Sequence, residues 1–233
     1  MTTSLLLTNG YIHSVAEPYA NALHIDNNVI AWLGSDETAH QMVAATASGP
    51  VETHDLNGML VTPAFIDGFS TTPLADLDSR VGLSATAPTN RGVHYPPATE
   101  NVDEAAGIFV ATQDLGLLET LLAQLKPPTQ LFIESTNQEN FSKILDAIAK
   151  QPNAVLMRCR HRILLNHPLT DQQVSRLVEL HVSVTVVPSL RDSTPVFYAP
   201  VASLIAQGVH VATGSGSWTG SVWELLTALI EHP

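Results

Sequence analysis

The chain has 233 residues, of which 45% are hydrophobic and 14% charged, and its formal net charge is −12. This composition predicts a globular protein with a buried core and excludes a disordered chain. The negative charge argues against a nucleic-acid partner and against binding to an anionic membrane surface, because both need clustered Lys and Arg.

The N-terminal stretch MTTSLLLTNG lacks the basic region and the long apolar run of a secretory signal. No stretch approaches the roughly 20 apolar residues of a membrane span. The single cysteine, Cys159, lies in the apolar run AVLMRC, which favours a buried inert thiol over a nucleophile and excludes an internal disulfide. These features predict a protein of the reducing cytoplasm.

The first part of the chain predicts a small β domain of hairpins over residues 1–58. SLLLTNGYIHS indicates two strands around an Asn9-Gly10 turn, and ANALHIDNNVIAWLG indicates two more around a turn at 26–28. Ser35 is a candidate N-cap for a short helix. VETHDLNGMLVTPAFID then predicts two strands around a turn at Asn57-Gly58.

Residues 73–106 have no lasting periodicity, and the stretch ATAPTNRGVHYPPATE within them carries prolines at 88, 96 and 97. This pattern indicates an irregular insert. Such a long loop within a compact domain is uncommon, so it is either functional or the trace of lost elements.

From Gly107 onward, apolar strands alternate with amphipathic helices. The predicted strands are GIFVAT, QLFIES, NAVLMRC, VSVTVVP and VHVATG, and a helix is predicted beside each of them. Capping boxes are predicted at Thr170 with Gln173 and at Ser221 with Glu224. With the strand in VTPAFID, this makes about six strands of a parallel sheet covered on both faces. The predicted fold class is α/β, an abridged (β/α) TIM-like barrel over 59–233, since a full barrel needs eight strands and roughly 250 residues.

Three stretches carry a family resemblance in the same order as the family has them: LLLTNGYIHSV, NALHIDNNVIAWLGSDE and THDLNGMLVTPAFID. They resemble the N-terminal segment of the amidohydrolase superfamily, in its branch of D-aminoacylase-like and related N-acyl or formamide deacylases. The family form Asp-x-x-Gly-x-x-Val-x-Pro-Gly-Phe-Ile-Asp is matched at Asp55, Gly58, Val61, Pro63, Phe65, Ile66 and Asp67, while Ala64 replaces the second glycine. The resemblance implies a metal-dependent (β/α)₈ barrel with a small β-sandwich built from both chain ends.

The family's metal ligands do not carry over to this sequence. The two histidines that follow Ile-Asp in the family correspond here to Phe69 and Thr71. In FIESTNQ, Glu134 takes the place of a ligand histidine, and in ATGSGSW, Gly216 takes the place of the aspartate that holds the metal. RCRHR matches a family Arg-Ile-Glu-His, which leaves His161 as the retained residue. A catalytic zinc site needs about three protein ligands and a carboxylate to accept a proton from water, so the sequence predicts no metal.

Two functions remain open on this basis. The first is a catalytically inactive homologue that keeps the scaffold for binding a small molecule or a partner. The alternative is an active hydrolase of non-peptide C–N bonds with an atypical site around Asp67, Glu134 and His161, each also explicable as a structural residue. The arginines that flank His161 would repel a cation but would suit a carboxylate ligand.

Family members continue beyond the last helix into further strands of the β-sandwich, whereas this sequence ends at IEHP. The N-terminal sheet is therefore expected to expose an edge, and a homodimer that covers the edge is predicted.

Overall fold

A computed structural model of the chain describes residues 4–63, 65, 67–69 and 107–231. The predicted insert at 73–106 lies outside these residues, as do Thr71, Ala64 and Ile66. The chain divides into two compact units, Met1–Ala64 and Phe65–Pro233.

The described part of the first unit contains six strands and one helix: β1 (Ser4–Thr8), β2 (Tyr11–Ile12), β3 (Ala22–Asp26), β4 (Val29–Gly34), α1 (Asp36–Thr46), β5 (Val51–Asp55) and β6 (Leu60–Val61). Four of the strands form a sheet in the order β4-β3-β1-β5, and β2 pairs in parallel with β6. Because β6 pairs with β2, the first unit extends past residue 58, where the sequence placed the domain boundary.

Of the first two hairpins that the sequence predicts, one forms and the other does not. The β3–β4 hairpin is confirmed, and its turn places Asn27 and Asn28 in the left-handed region with φ of 52° and 62°. The predicted β1–β2 hairpin is wrong. Asn9 does adopt a left-handed turn at φ 56°, but β1 pairs antiparallel with β3 and parallel with β5 instead. Burial of the apolar β1 between two neighbours outweighs the local turn preference.

The second unit holds a parallel sheet of five strands in the order β13-β10-β9-β8-β7. Its strands are β7 (Gly107–Val110), β8 (Gln130–Ser135), β9 (Arg162–Leu165), β10 (Ser183–Val186) and β13 (Val211–Thr213). In the described part of this unit, a 3₁₀ helix (Thr112–Leu117) and six α-helices accompany the strands: α2 (Leu118–Gln124), α3 (Gln138–Ile148), α4 (Asn153–Cys159), α5 (Asp171–Glu179), α6 (Val201–Ala206) and α7 (Val222–Glu231). The mixed α/β class and the parallel sheet are thus confirmed.

The remaining strands, β11 (Ser189–Arg191) and β12 (Thr194–Val196), form a short hairpin that the sequence reading missed. The sequence predicts VTPAFID as one more strand of the parallel sheet. In its described part, this stretch does not form a continuous strand. Leu60 and Val61 belong to β6 in the first unit, and Phe65 makes only an isolated bridge.

The predicted strand NAVLMRC is wrong: residues 153–159 form helix α4. Pro152 precedes the helix, and Arg160 closes it in the left-handed region at φ 46°. A short apolar run fits a buried helix as well as a strand, and periodicity alone does not separate the two. The third parallel strand is instead β9, so His161 lies before this strand and not after it.

The main core lies between the parallel sheet and its helices. It contains the fully buried Leu131, Ile133, Ile163 and Val184 from the strands, with Phe141 among the residues from the helices. The predicted capping box of α5 is confirmed at Thr170 and Gln173.

Candidate functional site

The carboxyl ends of β7, β8, β9, β10 and β13 lie at one edge of the sheet, where parallel α/β folds place their functional residues. The segment 67–69 runs beside the end of β13 at this edge. Gly68 N–H donates to the carbonyl of Thr213 at 2.9 Å, and Gly216 N–H donates to the carbonyl of Phe69 at 2.9 Å. This segment and the turn after β13 are therefore held together by backbone hydrogen bonds.

Asp67 binds the turn after β13 through its carboxylate. Oδ1 accepts the N–H of Ser215 at 2.9 Å and the N–H of Phe69 at 3.1 Å, and Oδ2 accepts the Ser215 hydroxyl at 2.6 Å. Three donors surround this carboxylate, so its oxygens fix the two loops relative to each other. A general base must instead reach the proton of a substrate or water.

Glu134 lies near the carboxyl end of β8 and is also engaged locally. Its Oε2 accepts the N–H of Thr112 at 3.0 Å and the hydroxyl of Thr112 at 2.9 Å. The carboxylate thereby joins β8 to the turn that follows β7.

His161 lies at the opposite, amino-terminal edge of the sheet. Its Nδ1 accepts the N–H of Leu131 at 3.1 Å, the side chain is 1% exposed, and Nε2 has no hydrogen-bond partner among the described residues. Burial lowers the pKa of His161 from its ordinary 6.5 to about 4, so the ring is neutral at physiological pH. An acceptor Nδ1 in a neutral ring means that Nε2 carries the hydrogen.

The three candidates therefore do not form one constellation. Glu134 pairs in register with Leu164, three residues beyond His161. At about 3.3 Å per residue, this separates Glu134 and His161 by roughly 10 Å along the sheet. The two side chains lie far apart because the third parallel strand begins after His161, whereas the sequence predicted that it ends before this residue.

Phe69, which occupies the place of a ligand histidine in the resemblance, packs in an aromatic cluster. Its ring lies 5.7 Å from that of Phe109 at 22° and 5.6 Å from that of Phe132 at 83°, and the last two rings are 5.6 Å apart. Leu164 and Val187 complete this cluster. These are ordinary stacked and edge-on geometries between aromatic rings.

Arg162 extends the aromatic cluster with a positive charge. Its guanidinium carbon lies 5.0 Å from the centre of the Phe132 ring. Nη1 donates to the carbonyl of Gly68 and to the hydroxyl of Thr185, each at 3.3 Å. The edge that would hold a cation in the family thus carries apolar rings and a guanidinium.

Gly216, in the place of the family aspartate, has φ +58° and brings no side-chain ligand, and its backbone N–H donates to the carbonyl of Phe69. Thr71 lies outside the described residues. Among residues 4–63, 65, 67–69 and 107–231, no group of three or more His, Cys, Asp or Glu side chains is arranged to hold a metal ion.

His167 is a buried polar residue at the carboxyl edge that the sequence reading missed. Its Nε2 lies 2.9 Å from the hydroxyl of Ser135, and its Nδ1 lies 3.0 Å from the carbonyl of Pro168. Its signal in the sequence is a histidine two residues after the apolar strand RILL, which the prediction of a strand at NAVLMRC obscured. His167 and Ser135 are 8% and 2% exposed, and Phe141 of α3 lies against the imidazole ring at 5.8 Å.

The Ser135–His167 pair has the contact of a nucleophile with its base, but its position favours a structural role. Ser135 lies on the same face of β8 as Ile133 and Leu131, which is the face that packs against the helices. Burial is the main cause that lowers the pKa of His167, while the bond to Pro168 opposes this shift. The pair therefore joins the ends of β8 and β9 beneath α3.

An open groove of about 510 Å³ lies in the N-terminal unit, and its lining includes Tyr11, His13, Tyr19, Asn21 and Leu60. None of the sequence-predicted candidates lines this groove.

The chain matches no protein-family model, and no curated protein is significantly similar to it. No helix in the described part of the chain is long and apolar enough to cross a membrane.

Proposed function

We propose that this chain is a metal-free, catalytically inactive protein with the scaffold of the amidohydrolase superfamily, which it uses to bind a small molecule or a partner. The observation that carries the proposal is the packing of Phe69. In the resemblance this position holds a metal ligand, whereas here its ring contacts Phe109 and Phe132.

The same ring supports an abridged barrel as the architecture of the second unit. Among the described residues, β7 and β13 are the two outer strands of the parallel sheet. Phe69 contacts Phe109 of β7, and a Cβ atom placed on Gly214, directly after β13, would lie 2.7 Å from the backbone of Phe69. A segment that touches both outer strands is expected where a sheet curls towards closure, with the helices on the outside.

The chemistry of the cluster argues for the loss of the metal. A zinc site needs about three N, O or S ligands. The described residues that pack around Phe69 contribute phenyl rings and aliphatic side chains, and the guanidinium of Arg162 lies over the ring of Phe132. The carboxylates of the two candidate acids, Asp67 and Glu134, accept hydrogen bonds from Ser215 and Thr112.

A cytoplasmic setting is part of the proposal. Its support is the single cysteine, Cys159, which is buried and free, and burial raises the pKa of its thiol. Such a thiol is poorly reactive and suits a reducing compartment.

An assay for hydrolysis tests the proposal. The purified protein, with and without added Zn²⁺, is incubated with a panel of N-acetyl and N-formyl amino acids, and free amine is measured. We expect no release above the rate without protein. Release that persists through purification and falls on Glu134→Gln would overturn the proposal, because a contaminating enzyme would be unaffected by this substitution.

A further inference from the structure

Strand β5 forms one edge of the four-stranded sheet in the N-terminal unit. Within the described residues it pairs only with β1, in parallel, from Ser4 opposite Val51 to Thr8 opposite Asp55. All five of its side chains are exposed. An edge strand of this kind presents backbone donors and acceptors that another strand can use.

The hydrogen bonds to β1 show which backbone groups of β5 point outward. Leu56 N–H donates to the carbonyl of Thr8 at 2.9 Å, and the hydroxyl of Thr8 lies 3.4 Å from the carbonyl of His54. Backbone groups alternate in direction along a strand, so those of residues 52, 54 and 56 face β1. The N–H and carbonyl groups of Val51, Thr53 and Asp55 therefore face away from the sheet.

The side chains of β5 are complementary to those of a second copy running in the opposite direction. Glu52 and His54 lie on the same face, and Glu52 Oε1 and His54 Nε2 are 2.8 Å apart with side chains 63% and 55% exposed. In an antiparallel pairing centred on Thr53, each Glu52 stands opposite His54 of the second copy. Val51 then stands opposite Asp55, and no pair of like charges is formed.

We propose that β5 pairs antiparallel with β5 of a second copy of this chain, with Thr53 on the two-fold axis. Thr53 then exchanges two hydrogen bonds with its counterpart, and Val51 and Asp55 exchange four more, so the pairing has about six backbone bonds. Glu52 and His54 lie at the closely spaced, non-hydrogen-bonded positions, where side chains interact most strongly. A two-fold axis makes the contact self-complementary and closed, as in most soluble homodimers.

The other edge of this sheet fits a second copy less well. β4 carries the exposed Val29 and Ile30, and its pairing with β3 is interrupted by an irregularity at His24 and Ile25. Bulges twist an edge and hinder further pairing. β4 therefore offers apolar contact without the Glu–His pairing that β5 offers.

Sedimentation velocity on the full chain tests the pairing at about 150 mM salt, where the charge repulsion between the two copies is screened beyond about 8 Å. Five residues per strand form a small interface, so we expect a dimer with a Kd of about 10 μM, and a series from about 1 to 200 μM covers the transition. A monomer throughout this series overturns the proposal.

Thr53→Pro removes an outward N–H and leaves the ladder to β1 in place, so the dimer is expected to weaken at least about tenfold. Thr53→Val keeps the N–H, and this matched control should dimerise as the natural chain does. A dimer that persists in Thr53→Pro assigns the contact to another surface, such as β4, and overturns the proposal.

Exchange of Glu52 and His54 tests the same pairing if circular dichroism shows that Thr53→Pro does not fold. Glu52→His replaces each Glu–His pair across the axis by two histidines and is expected to weaken the dimer. The double variant Glu52→His with His54→Glu restores the Glu–His pairs and should restore the Kd. Equal weakening in the single and double variants overturns the pairing.

Discussion

His161 should make the protein acid-sensitive, because the folded chain buries this ring in the neutral form. The perturbation is a fall in pH from 7 to 4, compared between the natural chain and His161→Asn. The amide oxygen of asparagine lies near the place of Nδ1, so Leu131 N–H keeps an acceptor while the titrating group is removed.

The expected magnitude follows from the pKa of His161, which burial lowers from 6.5 to about 4. Above pH 6.5 the ring is neutral in both the folded and the unfolded chain, so the pKa difference contributes nothing to stability. As the pH falls below 6.5, the unfolded chain binds a proton that the folded chain excludes, and the free energy of unfolding decreases until about pH 4. At about 1.4 kcal/mol per pKa unit, the total loss is about 3 kcal/mol.

Urea unfolding followed by circular dichroism at a series of pH values gives the free energy of unfolding for both proteins. Every other histidine is common to both, including His167, whose pKa burial also lowers. Their contributions therefore cancel in the difference. We expect the natural chain to lose about 3 kcal/mol more than His161→Asn between pH 7 and pH 4. Parallel pH profiles for the two proteins would refute the burial of a neutral imidazole at the amino-terminal edge.

Two other substitutions test the contacts at the carboxyl edge by urea unfolding. Asp67→Ala removes the acceptor of three hydrogen bonds and should cost about 3 kcal/mol, whereas Asp67→Asn keeps the oxygen that accepts the N–H groups of Ser215 and Phe69 and should cost about 1 kcal/mol. Equal costs for the two variants would contradict this anchoring role. Gly214→Ala should cost about 1–3 kcal/mol because its Cβ would lie 2.7 Å from the backbone of Phe69. Gly116→Ala meets nothing within 4 Å and should be close to neutral, so a similar effect of both alanines would argue against the close approach.

Local signals in the sequence predicted much of the fold. The continuous apolar runs predicted which part of the chain forms the parallel sheet, because strands buried on both faces carry few polar residues. The capping residues of α5 and the two left-handed asparagines before β4 act within a few residues of one another, so a short window of sequence contains them. The errors arose where contacts between distant parts of the chain determine the structure. One example is β1, which pairs with β3 and β5 and not with β2.

The candidate site was harder to predict for the same reason. The apolar run at 153–159 forms helix α4 and not the predicted strand, so the strand begins later, at Arg162. His161 therefore lies at the amino-terminal edge of the sheet, and His167 follows the carboxyl end of β9. The aromatic cluster joins Phe69, Phe109 and Phe132 from three separate segments. No period or spacing in the sequence relates these three residues, and their rings meet only in the folded chain.

The metal content of the purified chain tests the central claim most directly. The protein is produced in zinc-supplemented medium, purified without chelators and measured by inductively coupled plasma mass spectrometry against a chain-concentration standard. The packing of Phe69 against Phe109 and Phe132 predicts far less than one zinc per chain, and the same value after His161→Ala. A content of about one zinc per chain that is lost in His161→Ala would contradict the account, because it would mean that a metal is held by the residue that we place at the far edge of the sheet.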